Sequence, residues 1–268
     1  MRPADLPDFG SPPLGEVVLG VQFSNPAGYS QIHAGKVWDL FQENYPHVEE
    51  YMPLPPVFET FGPQIPSPGN QLSFVDGALH DRYWFLNERR DEIIQFQQDR
   101  ILHNWRKVGD RTNEYPRFEH MIARFTDELT KLENYFSTLT PQKLQISQCE
   151  ISYINHIATS ANGTLKLSDW LSFVNFGTKH PQNFNLNFRE TIVDANEKPR
   201  ARLICEIGEI LRSDGQRAIS LSLTVRGAPE SSTISSALKF LAEGRTSIVN
   251  RFTELTTPEA HKAWERKK

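Results

Sequence analysis

Residues 100–107 read RILHNWRK, a stretch that gathers several side chains able to do chemistry. Arg100 and Arg106 could neutralise phosphate, and His103 could move a proton near neutral pH. Asn104 adds an amide that both donates and accepts, and Trp105 a face on which an unstacked base can lie. Together these residue types suit a nucleic acid or a nucleotide. The other reading is an ordinary strand, with Trp105 in the core, Arg100 and Arg106 solvated and His103 half-buried. A second set is Tyr153, Asn155 and His156. Neighbours on a strand point to opposite faces, so Asn155 and His156 cannot both serve one pocket. Asn155 shares its face with Ile151 and Tyr153, as a buried amide in need of partners.

Other chemistries find little support. There is no GxSxG, and Cys149 and Cys205 sit in apolar strand contexts where a thiol packs rather than attacks. The histidines at 33, 47, 80, 103, 120, 156, 180 and 261 are scattered, without HExxH or DxDxDG. Phosphate-loop and dinucleotide fingerprints are missing, and the carboxylate pairs Glu49/Glu50 and Glu206/Glu209 read as surface charge. No metal and no cofactor is expected, and no residue is assigned a catalytic role. A net charge of −4 excludes a surface basic throughout. Yet Arg82, Arg89, Arg90, Arg100, Arg106, Lys107 and Arg111 crowd one hairpin and its exit. That local density is either a nucleic-acid patch or solvated edge charge that discourages sheet-to-sheet aggregation. No leader-like apolar core opens the chain and no run of 18 apolar residues occurs, so a cytoplasmic protein without membrane contact is expected.

The elements that must position these residues follow from periodicity. Residues 1–13, Pro-rich and polar, read as a flexible arm. EVVLGVQF reads as a buried strand, and HAGKVWDLFQENY as a helix with Val37, Leu40, Phe41 and Tyr45 on one side. Prolines at 53, 55, 56, 63, 66 and 68 then forbid a helix and predict an extended loop able to lie over a pocket. DRYWFLNERRDEIIQFQQDRILHNWRK reads as one long hairpin turning near Glu88–Asp91. A bulge near Gln97–Asp99 is expected to bring Ile94 and Phe96 to the same core as Ile101, His103 and Trp105. Phe118, Ile122, Phe125, Leu129, Leu132 and Phe136 alternate steps of four and three, the mark of a long amphipathic helix that Pro116 introduces.

The second half follows the same order. KLQISQCEISYINHI is a strand, LSDWLSFVNF a short helix capped by Ser168 or Asp169, and NFNLNFRETIV a strand. RARLICEIGEI and AISLSLTVRG are strands joined at SDGQ, before a last helix whose stripe from Ile234 to Leu255 only Arg245 interrupts. The fold class is therefore α+β. Two consecutive units, 14–140 and 141–268, each run strand, helix, antiparallel strands and long helix, with the helices on one face of an antiparallel sheet. This order reads as an internal duplication of architecture rather than of residue identity.

With these pieces in place, PPLGEVVLGVQF, QQDRILHNWRK, NEYPRFEHM and EISYINHI resemble stretches of a family of sporadically distributed, uncharacterised bacterial proteins of roughly this length. The resemblance implies no established activity. Patchy occurrence in bacteria fits genomic-island cargo such as phage defence or toxin–antitoxin pairs. The function expected is a non-catalytic binding or regulatory module, holding a partner protein or other ligand in a groove between the sheet and the proline-rich loop. Arg100, His103, Asn104, Trp105, Arg106, Tyr153 and Asn155 are the candidate contacts. The alternative is a nucleic-acid or nucleotide-processing enzyme that uses His103 with Arg100 and Arg106. A homodimer through a sheet edge or the long helices is a further expectation.

Overall fold

Alternation of apolar and polar residues governs most of this chain, and the computed structural model turns that alternation into one sheet with two unlike faces. It describes residues 5–62, 81–109, 111–158, 166–177, 181, 183–212 and 215–268. Nine antiparallel strands are β1 (Leu14–Phe23), β2 (His47–Tyr51), β3 (Arg82–Leu86), β4 (Glu92–Gln97), β5 (Arg100–Arg106), β6 (Ile146–Ala158), β7 (Asn185–Val193), β8 (Pro199–Leu211) and β9 (Arg217–Gly227). Their order across the sheet is β2-β3-β4-β5-β1-β6-β9-β8-β7. Four α-helices accompany them: α1 (Ala34–Asp39), α2 (Phe118–Phe136), α3 (Ile234–Leu255) and α4 (Pro258–Ala263). Among the described residues the protein is thus α+β with a single antiparallel sheet.

β1 and β6 pair at the centre, with Val17 opposite Tyr153 and Leu19 opposite Ile151. On the outer side of β1 lies β5, and on the outer side of β6 lies β9. Glu16 stands opposite Arg106, and Glu150 opposite Arg226. The face carrying Val17, Leu19, Trp105, Ile151, Tyr153, Leu221 and Leu223 is buried. It is covered by α2 over β1 and β5 and by α3 over β6 and β9. Steps of three and four put Phe125, Leu129, Leu132 and Phe136 of α2 on that face.

Several expectations need correction. The long hairpin is three strands: the turn at Asn87–Asp91 is present, but Gln98 and Asp99 form a second tight turn between β4 and β5. Ile94 then lies opposite His103 and Phe96 opposite Ile101, so no bulge is needed to put both sets on one face. The helix over 33–45 ends at Asp39 and continues as turns that still bury Phe41 and Tyr45. LSDWLSFVNF forms only a 3-10 turn at Leu167–Asp169, so Ser168 and Asp169 lie inside it rather than capping a helix. Residues 5–13 are not a free arm. Leu6 and Phe9 are buried, and Phe9 stacks edge-on against Phe252 and Trp264. The backbone of Asp8 exchanges bonds with Lys267 and Lys268. Of the SDGQ turn, Ser213 and Asp214 lie outside the described residues, as do His80, His180 and the prolines at 63, 66 and 68.

Close helix-to-sheet approach depends on Gly244 of α3, where an added Cβ would sit 2.7 Å from Ile151 Cγ2 and 3.3 Å from Val225 Cβ. Both neighbours are branched at Cβ and fixed in central strands, so neither yields easily. Overpacking of this kind costs about 1–3 kcal/mol, against a gain of about 1 kcal/mol for alanine over glycine in a helix. Gly244→Ala is therefore expected to lower the urea midpoint of unfolding with an unchanged slope. An unaltered or raised midpoint would show that the helix can lift off β6 and β9 without loss.

Candidate functional site

The two-residue period of β5 splits RILHNWRK. Ile101, His103 and Trp105 point under the helices, whereas Arg100, Leu102, Asn104 and Arg106 point to the opposite face of the sheet. The thickness of the sheet thus separates His103 from both arginines, so the three form no combined proton-transfer and phosphate-binding set. Trp105 is core, packed 5.3 Å from the Tyr115 ring.

His103 is fully buried, with Nδ1 at 2.9 and 3.1 Å from the two carboxylate oxygens of Glu128 on α2. The Tyr45 hydroxyl donates to the same carboxylate at 3.1 Å. Burial alone opposes a charged imidazole, but the charge and hydrogen bond of Glu128 outweigh it and hold the His103 pKa above its ordinary value. The sequence supplied no sign of this partner, which lies one helix away.

Tyr153 and Asn155 also face the helices, in a different place. They line a small pocket beneath Pro7–Phe9, with Tyr115, Arg117, Phe118 and Arg245. The hydroxyls of Tyr115 and Tyr153 are 3.0 Å apart, and Asn155 Nδ2 donates to the Leu221 carbonyl at 3.1 Å. Arg245, the interruption in the α3 stripe, reaches Glu119 at 3.2 Å and lies over the Phe118 ring. His156 points to the other face, as strand alternation requires, and burial lowers its pKa.

The remaining candidates share the polar face with residues that went unnoticed. Arg82 donates to Gln95, Gln95 to Asn104 and Asn104 to Glu16, a relay running over β3, β4, β5 and β1. Burial pushes the Glu16 carboxyl up, against the pull of Asn104 and Arg106. The guanidinium groups of Arg82 and Arg106 both lie over the Trp84 ring, at 5.7 and 5.6 Å from its centroid, and that ring also meets Tyr51. These arginines of the basic hairpin therefore already hold aromatic and amide partners. Arg100 is bidentate to Asp99 at 3.0 and 3.1 Å.

Across this face runs the described part of the proline-rich loop. The Leu54 N–H donates to Gln97 Oε1 at 2.8 Å, and Gln97 Nε2 donates to the Leu54 carbonyl at 3.0 Å. Gln22 treats Val57 in the same way, at 3.0 and 2.7 Å. Beyond it, Arg202 Nη2 donates to the Thr60 carbonyl at 2.7 Å and Arg202 Nε to Glu59 at 2.9 Å. Arg226 meets the other Glu59 oxygen at 3.3 Å and holds Glu150 at 2.5 Å. Between this strap and the sheet lies a cavity of about 230 Å³, whose polar lining comes from Gln22, Arg100, Gln148, Glu150 and Arg226. The described part of the loop thus lies over a pocket, with Leu54, Pro55 and Val57 in its wall.

Cys149, on the cavity wall, and Cys205 are both buried, and burial pushes each thiol to about 12, so neither is a ready nucleophile. Among the described residues no group of three or more His, Cys, Asp or Glu could hold a metal ion, and no helix is long and apolar enough to cross a membrane. Comparison of the chain with protein-family models, with curated proteins and with solved structures found no match. What the geometry defines is a sheet with one polar face that grips an extended piece of chain.

The raised pKa of His103 sets a pH dependence. The pair with Glu128 stabilises the fold fully below the ordinary imidazole value of 6.5, and that contribution is lost as pH rises from there through the higher folded-state value. Urea unfolding of the parent and Glu128→Gln should therefore differ most near pH 6 and converge toward pH 9. A difference that stays constant or grows with pH would mean that the imidazole is neutral in the fold.

Proposed function

We propose that this chain is a non-catalytic binding or regulatory protein that seats its ligand on the polar face of the sheet. One observation carries the reading: an extended segment is already held there, by two amide clamps and an arginine pair, above a cavity of about 230 Å³. Binding surfaces need convergent polar groups with apolar walls, and Gln22, Arg100, Gln148 and Arg226 converge beside Leu54, Val57 and Leu102. Asn104 and Arg106 extend that face, whereas His103, Trp105, Tyr153 and Asn155 support it from beneath. The resemblance to sporadically distributed bacterial proteins favours a place in an accessory system, such as phage defence or a toxin–antitoxin pair, where the chain neutralises or senses a protein partner in the cytoplasm.

Within this reading, residues 14–140 and 141–268 are two copies of one unit. The support is the pairing of Glu16 with Arg106 in the first and of Glu150 with Arg226 in the second, each joining the first strand of its unit to the last. The first copy carries one more strand than the second.

The test is affinity purification of the tagged chain from its native host, with the parent beside Gln22→Ala and Arg226→Ala variants of unchanged thermal midpoint. A stoichiometric protein partner retained by the parent and depleted about tenfold or more in the variants is expected, since losing a polar contact at the centre of an interface costs upward of about 1.4 kcal/mol, a factor of ten in affinity. Recovery of the same proteins by all three chains would rule out the polar face as the site.

A further inference from the structure

The strap is gripped through its backbone at regular intervals. Leu54, Val57 and Thr60 are three residues apart, and each offers main-chain atoms to a side chain of the sheet. The prolines at 53, 55 and 56 fix φ and push the residues before them toward extended conformations. An extended polyproline-type chain rises about 3.1 Å per residue, so three residues advance it about 9 Å. Gln97 on β4 and Gln22 on β1 are two strands apart, about 10 Å at ordinary strand spacing. Between the two glutamine clamps the advance of the strap matches the two strands it crosses, and the longer step from β1 to β8 is bridged by the reach of the Arg202 side chain.

Each glutamine supplies one acceptor and one donor, and so reads an N–H and a C=O of the same residue whatever its side chain. Proline is excluded at 54 and 57, where an N–H is needed, and tolerated between them. Beyond the second clamp, Arg202 and Arg226 require an acidic residue where Glu59 stands. Arg100 has Asp99 and Arg226 has Glu150, whereas Glu59 is the carboxylate that meets Arg202 among the described residues. Arg202 is buried, so any segment replacing the strap must bring a carboxylate to it. A phosphodiester backbone lacks the N–H groups that the two glutamine oxygens accept.

We propose that the polar face is a receptor for extended, proline-containing acidic peptide segments of a partner protein, and that the strap is its intramolecular occupant. The proposal rests on the binding role described above and names the ligand chemistry. The segment recognised has two non-proline residues three apart, prolines between them, and a glutamate or aspartate two positions further on. Binding in trans requires the strap to leave, so the hold of Arg202 and Arg226 on Glu59 sets the apparent affinity.

The probe is a fluorescein-labelled peptide of residues 52–62, MPLPPVFETFG. A tethered strap acts at an effective concentration in the millimolar range, so the peptide should bind the Glu59→Gln chain at least about tenfold more tightly than the parent. Adding Arg202→Ala, or placing Gln for Glu in the peptide, should remove that gain. In the parent itself, about 1 mM peptide should speed hydrogen exchange of the Leu54 and Val57 amides, a readout that needs no variant to fold. Equal affinity for parent and Glu59→Gln with unchanged exchange overturns the proposal, as does equal binding of the Gln peptide. A concentration-dependent dimer of Glu59→Gln that excludes the peptide overturns it in favour of a strap exchanged between copies. If a host partner depends on Gln22 and Arg226 while the peptide fails, this inference falls and the binding role stands. If capture ignores those residues, the binding role falls with it.

Discussion

Pairing of β1 with β6 is the constraint from which the rest of the molecule hangs. The two strands lie at the middle of the sheet, and on each side the other strands are added outward from them. Their register places Val17, Leu19, Tyr153 and Ile151 on one face, and Glu16, Gln22, Gln148 and Glu150 on the other. A slip of one residue would turn the whole set over, driving the two glutamates under the helices and the apolar residues into the polar network. Burial of a column of large side chains on one face therefore fixes where every polar group of the opposite face must stand. The clamps at Gln22 and Gln97 take their spacing from the next two pairings outward, in which both stand opposite Arg100.

The polar face is unusual because much of it is covered as well. Gln97, Gln148, Arg100, Asn104 and Arg202 are all buried although they point away from the core. Such groups cost free energy unless each finds a partner, so the network that joins Arg82, Gln95, Asn104 and Glu16 is a condition of the fold rather than an ornament. The strap completes this arrangement at its far end, where Glu59 meets two guanidinium groups. Its outer side chains tell the opposite story: Phe58 is 55% exposed and Met52 76%. The segment is thus held by what its backbone and one carboxylate offer, and little by burial of its own apolar groups.

Much of the fold was legible because periodicity is local. The stripe from Phe118 to Phe136 and the alternation of Ile219, Leu221, Leu223 and Val225 each appear within one element, and each became the element expected. The tight turn at Gln98–Asp99 was not legible, since FQQDRI carries none of the glycine, asparagine or proline that usually marks a hairpin. Of the candidate site, the strand at 100–106 was placed correctly. Its division between two faces was already implied by alternation, which set Ile101, His103 and Trp105 on one side, yet the candidate site drew residues from both. The strap's anchors lie 35, 43 and 143 residues from the groups they hold, so no window of sequence contained them. One signal was available: Gln95, Gln97, Gln148 and Arg202 interrupt otherwise apolar strands at positions of a single face, a pattern easily mistaken for an ordinary solvated side.

The contact between the described beginning of the chain and its last residues has a mechanical meaning. Asp8 is bonded to Lys267 and Lys268, Gly10 to Glu265 and Ser11 to Trp264. Asp8 and Lys268 therefore stand at the same end of one short antiparallel pairing. Tension applied through them opens that ladder like a zip, one hydrogen bond at a time. It reaches the cluster of Phe9, Phe252 and Trp264 before it loads any strand of the sheet. Force is spent on peeling a seam at the edge, and the central strands are shielded from shear.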